Sequence, residues 1–171
     1  MKTAYRTAME WLYVACIGTA GIAMLIMTII IPYGVFMRYV VNSPASWPEP
    51  AGILLMVLFS FVGGAAAYRA NAHIAVATLL NMLSDSNRKH FERASDIGMG
   101  IIGLFMIKWG VLLVQATWQN TIAEFPDLSV GVTYIPIPLA GLITVLFMVE
   151  RLWLGQPDAN SFTFRDQPQT E

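Results

Sequence analysis

Residues 49–69 read EPAGILLMVLFSFVGGAAAYR, and this stretch decides the fold. Between Glu49 and Arg69 the chain runs without a charge for about twenty residues, roughly what an α-helix needs to cross a hydrocarbon core of about 30 Å. Its tail, Gly63-Gly64-Ala65-Ala66-Ala67, is the smallest-residue cluster in the sequence. Inside a membrane, packing drives helix association, and small side chains let backbones approach closely. The segment therefore reads as a membrane span with a face at Gly63 and Gly64 shaped for another helix. Arg38 and Glu49 stand at one mouth, Arg69 and His73 at the other.

Composition agrees. Of 171 residues, 56% are hydrophobic and only 12% charged, with a mean hydropathy of +0.58. Soluble domains carry about 25% charged residues, so the class is an integral membrane protein. A net charge of −1 with no basic stripe argues against nucleic-acid binding. Cys16 stands alone, which excludes an intrachain disulfide and a multi-cysteine metal cage. Lys2 and Arg6 precede an apolar run reaching Phe36. That run exceeds the apolar core of a signal peptide, about 7–15 residues, and reads as an uncleaved first span.

The expected architecture is all-α with four transmembrane helices, at about 11–36, 51–68, 94–118 and 134–153. They form a membrane domain over 1–153, followed by a polar tail over 154–171. Pro32 is the expected kink in the first span. Val76, Leu79, Leu80 and Leu83 recur at helical spacing, which predicts a short amphipathic helix over 72–83 lying in the interface plane. Residues 119–133 read as a loop. Lysines and arginines gather before the first span, between the second and third, and after the fourth. That bias predicts both termini in the cytoplasm.

Candidate chemistry is sparse. Residues 98–103, GMGIIG, match a dinucleotide fingerprint by letter, but no strand precedes them. Helix packing through Gly100 and Gly103 is the better reading. His73 and His90 fall outside the spans, where paired haem ligands would not sit. Lys108 reads as the one ionisable group deep in a span, costing about 2.5–3.5 kcal/mol on insertion scales unless partnered. Snorkelling and contact with a partner subunit or lipid weigh evenly for it. Arg38 and Glu49 flank the first outward link and are placed to pair across it, while Trp47 reads equally as an interfacial anchor or a docking residue. The spans read as lacking an embedded carboxylate, which argues against a proton-exchanging small exporter. With no nucleophile beside a base, no metal cluster and no phosphate loop, the chain reads as non-catalytic and without its own cofactor.

Phe36-x-Arg38-Tyr39-Val40, Trp47-x-Glu49, Gly63 with the alanines after it, Arg69-x-x-x-His73-Ile74-x-Val76 and Tyr134-x-Pro136-x-Pro138 occur in that order. Together they resemble the small membrane subunit, of DctQ type, of the tripartite ATP-independent periplasmic (TRAP) transporters. Pro50 and Ala77 stand where that family often has acidic residues. The resemblance implies a bacterial inner-membrane protein working with a large membrane subunit and a periplasmic solute-binding protein. It implies a sodium-coupled importer of an organic acid, of the sialic acid or C4-dicarboxylate class. The large subunit would bind sodium and substrate and move as an elevator, with this chain as its scaffold. Arg38, Trp47, Glu49, Gly63, Gly64, Arg69, His73 and Lys108 are the residues expected at interfaces with partner or lipid. Two other readings compete: a membrane anchor for a redox complex, and a self-sufficient small exporter.

Overall fold

The computed structural model of the chain describes residues 2–70 and 85–155. The amphipathic helix expected over 72–83, His73 and the tail beyond Gly155 lie outside them. Helix α1 spans Lys2–Tyr39, α2 Pro48–Arg69 and α3 Asp85–Thr117. A two-stranded antiparallel hairpin follows, β1 Thr121–Ile122 and β2 Phe125–Ser129, then a short helix α4, Val130–Tyr134, and α5, Pro136–Leu154. Among the described residues, four helical stretches are long and apolar enough to cross a membrane: Thr3–Tyr39, Pro48–Arg69, His90–Thr117 and Val130–Leu154.

The helix ends follow local chemistry. Helix α1 stops where Asn42 takes φ 55°, a left-handed conformation that asparagine tolerates, and Ser43 N–H bonds back to the Met37 carbonyl at 3.1 Å. Helix α2 begins with Pro48 in its first turn, where a missing N–H would have no partner anyway. Ser129 caps α4, its hydroxyl accepting from Gly131 N–H at 3.0 Å and donating to the Trp118 carbonyl at 2.7 Å. Residues 119–133 are therefore a folded hairpin and cap, where periodicity alone predicted a loop. Helix α1 also begins at Lys2, well before Trp11, and stays helical through Pro32. At 1.5 Å per residue its 38 residues reach about 57 Å, so tilt or protrusion beyond the hydrocarbon is required.

Packing joins two helical hairpins. Helix α1 lies against α2, α3 against α5, and the pairs meet mainly along α2–α5, with a lighter α1–α5 contact. The tightest seam is α3–α5. A Cβ added at Gly141 would come within 2.7 Å of the Gly103 carbonyl oxygen, and one at Gly110 within 2.7 Å of Pro138 Cδ. Glycine is required there because backbone meets backbone. Gly63 and Gly64 behave otherwise. A Cβ at Gly63 would meet Ala20 at an ordinary 3.5 Å, and one at Gly64 nothing within 4 Å. Among the described residues, then, close backbone approach is at Gly103, Gly110 and Gly141 on the α3–α5 seam. Many apolar side chains of α1 and α3, among them Ile29, Ile101 and Phe105, face outward, as lipid-exposed or subunit-exposed helices require.

Candidate functional site

Near one end of the bundle, the side chains of two dipeptides interlock. In α2, Tyr68 and Arg69 are consecutive; in α5, Glu150 and Arg151 are consecutive. Neighbours on a helix point about 100° apart, so each dipeptide addresses two directions. Arg69 turns to Glu150, its Nε donating to Oε2 and its Nη2 to Oε1, both at 2.8 Å. Both side chains are 0% exposed. The guanidinium also lies 5.4 Å from the ring centres of Tyr13, on α1, and Phe147, on α5. Fork-to-fork geometry fixes the carboxylate in the guanidinium plane, while the rings favour cation–π contact on its faces.

The second members of the dipeptides reach α3. Tyr68 hydroxyl donates to Asp96 Oδ1 at 2.8 Å, and Arg151 Nε lies 2.9 Å from the same oxygen. Arg151 Nη1 donates to the Tyr68 carbonyl at 3.4 Å, with its guanidinium 5.1 Å from the Tyr68 ring centre. Two cations and two anions thus cancel within one cluster drawn from α1, α2, α3 and α5. The N-terminal turns of α1 continue it. Tyr5 hydroxyl donates to the Leu146 carbonyl at 3.0 Å and Arg6 Nη2 to the Leu154 carbonyl at 3.5 Å.

This cluster corrects the sequence reading that the spans lack an embedded carboxylate: near the span ends that the charge bias assigns to the cytoplasmic side, Glu150 is 0% and Asp96 6% exposed. Lys108, midway along the His90–Thr117 stretch, lies on the exposed side of α3, its Nζ 5.5 Å from the Trp109 ring centre. The missed signal was pairing. Arg69 at the end of one span and Glu150 near the end of another are opposite charges at matching depth, and so are Asp96 and Arg151.

The chemistry of the cluster is structural. Each buried charge faces a counter-charge at 2.8–2.9 Å, and a fully paired network rigidifies more readily than it exchanges protons or ligands. Tyr68→Phe tests the weaker limb. It removes the hydroxyl donor to Asp96 but leaves the Arg151 contact, and is expected to cost about 1.5–3 kcal/mol, the range for a hydrogen bond to a charged group. Detergent-solubilised protein titrated with a denaturing detergent and followed by circular dichroism would measure it.

Three other sequence candidates, Arg38, Trp47 and Glu49, sit where the end of α1 meets the start of α2. Arg38 Nη2 lies 3.6 Å from Glu49 Oε2, with the two side chains 55% and 75% exposed. Such a pair is worth about 1 kcal/mol or less. The Trp47 ring stacks obliquely on Tyr33 at 5.8 Å between centres. Here a cavity of about 370 Å³ lies between α1 and α2. His90 is exposed. Among the described residues no three of histidine, cysteine, aspartate and glutamate stand close enough to hold a metal ion.

An apolar assembly of four helices long enough to span, braced by buried ion pairs, describes a membrane component. Residues 27–157 match the family of tripartite ATP-independent periplasmic transporters, DctQ component. The chain belongs to that family. It is also 27% identical over 127 residues to a Haemophilus influenzae protein assigned as a TRAP transporter small permease, a match covering 74% of this chain and 78% of that one. Membership makes it a small permease component, placed among transport proteins rather than catalysts. The family match starts inside α1 and ends just beyond α5, so it takes in every residue of the buried cluster except Tyr5, Arg6 and Tyr13 of α1.

Proposed function

We propose that this DctQ-type chain is the stationary scaffold of a sodium-coupled importer. It would dock beside a large elevator-type membrane subunit that binds sodium and an organic acid, of the sialic acid or C4-dicarboxylate class. A periplasmic binding protein would deliver that acid. Both termini would be cytoplasmic, with the Arg38–Glu49 and Trp118–Thr133 links facing the periplasm, because the lysines and arginines concentrate on the other side.

One observation carries the scaffold reading: the buried charges are consumed in holding helices together. A transport site needs polar groups free to exchange a ligand, whereas Arg69 and Glu150 spend both arms of their forks on each other. Elevator movement in a neighbour also needs an unmoving counterpart, and a bundle cross-braced by ion pairs suits that part.

The test is uptake of labelled acid into proteoliposomes under an inward sodium gradient. Vesicles holding this chain, the large subunit and the binding protein are expected to accumulate substrate, and vesicles holding this chain alone to stay at background. Accumulation by the chain alone would overturn the reading.

A further inference from the structure

The cavity between α1 and α2 at the Arg38–Glu49 end has walls of one chemistry and a mouth of another. Ile31 and Val35 on α1, and Ile53 and Met56 on α2, line it, and all four are about half exposed. Its floor is closed tightly at Gly34, where a Cβ would press to 3.0 Å from Pro48 Cβ, while one on Gly52 would meet Ile31 Cγ1 at an ordinary 3.6 Å. The helices therefore close together beneath, leaving a furrow along their outer side. Met27, Ile31, Val35 and Tyr39 follow one another at steps of four along its α1 wall, a nearly straight stripe on an α-helix.

Size selects the occupant. From Met27 to Tyr39 is twelve residue steps, about 18 Å of helix, so about 370 Å³ corresponds to a mean cross-section of roughly 20 Å². That is a slot of alkyl-chain width running lengthwise between the two helices.

Charge selects the headgroup. Arg38 and Glu49 are highly exposed and meet through a single 3.6 Å contact, which leaves donors on one and acceptors on the other for a ligand. A cation beside an anion at the mouth matches a zwitterion, not a headgroup of one sign. We infer that this furrow holds one zwitterionic phospholipid of the ethanolamine type. Its phosphate sits on Arg38, its ammonium on Glu49 and one acyl chain lies along Ile31, Val35, Ile53 and Met56. The site depends on α1 and α2 lying in a membrane and is independent of the transport proposal.

Native mass spectrometry tests it on the full chain, extracted after equilibration in vesicles of equimolar phosphatidylethanolamine and phosphatidylglycerol. One ethanolamine lipid is expected to remain bound, favoured about fivefold over the glycerol lipid, the selectivity that one charge near the surface supplies. Glu49→Gln is expected to abolish that preference while leaving lipid bound. Ile53→Trp, on an exposed wall, is expected to lose the lipid with circular dichroism and melting unchanged. Equal retention of the two lipids by the unaltered chain would mean ordinary boundary lipid and overturn the site. So would retention that neither substitution changes.

Discussion

Glu150→Ala is expected to destabilise the chain by about 3–5 kcal/mol, the largest single-residue effect of any charged position described. Truncation leaves the Arg69 guanidinium in a site where it is 0% exposed, and removing one partner of a buried pair costs that much because the remaining charge is uncompensated. The Tyr13 and Phe147 rings, each 5.4 Å from the guanidinium carbon, offset part of the loss. Cation–π contact contributes about 0.5–2 kcal/mol, too little to hold an unpaired arginine in place. The double substitution Arg69→Met with Glu150→Leu is expected to recover most of the stability. Exchanging a whole buried pair for apolar groups of similar volume is often neutral or favourable, since neither ion then has to be desolvated. Arg38→Gln is expected to cost about 1 kcal/mol or less, because its pair with Glu49 is hydrated. Unfolding free energies from denaturing-detergent titration, followed by circular dichroism, rank the four proteins. A loss below about 1 kcal/mol for Glu150→Ala would show that the pair carries little of the assembly.

Why this pair escaped the sequence reading is instructive. Hydropathy and charge distribution made the four spans legible, because an uninterrupted apolar run has few other uses. The same logic places a charge near the end of an apolar run at the interface. Arg69 and Arg151 therefore count in the sequence only as flanking charges and Glu150 draws no reading, although α5 continues to Leu154 and buries Glu150 completely. Single-chain periodicity carries no information on which helix lies beside which. Only the α2–α5 contact brings residues 81 positions apart into one fork. Arg38 and Glu49 were legible as a pair because a short link joins the helices bearing them. The hairpin at 121–129 was hidden for another reason, since its strands are too short to show alternation. Small-residue clustering was a partial guide. It marked Gly100 and Gly103, which do lie on the α3–α5 seam, and Gly63 and Gly64, where this chain has room to spare.

Those glycines give the second large effect, and its sign differs between positions that look alike in sequence. Gly141→Ala is expected to destabilise by about 1–3 kcal/mol, the usual cost of overpacking, and Gly141→Leu by more. The new Cβ would fall 2.7 Å from the Gly103 carbonyl oxygen, 2.9 Å from Met106 Cβ and 3.1 Å from Ile107 nitrogen. None of these is the free end of a side chain, so relief requires α3 and α5 to separate. Gly100→Ala should be milder, because its closest neighbour is the terminal methyl of Met148, which can swing aside. Gly64→Ala meets nothing within 4 Å and gains alanine's helix preference of about 1 kcal/mol over glycine. It is expected to be neutral or stabilising in the isolated chain. Detergent-titration midpoints for the three alanine variants should order Gly141 below Gly100 below Gly64. A Gly64→Ala variant less stable than Gly141→Ala would mean that the helices of the isolated chain pack along α2 and not along the α3–α5 seam.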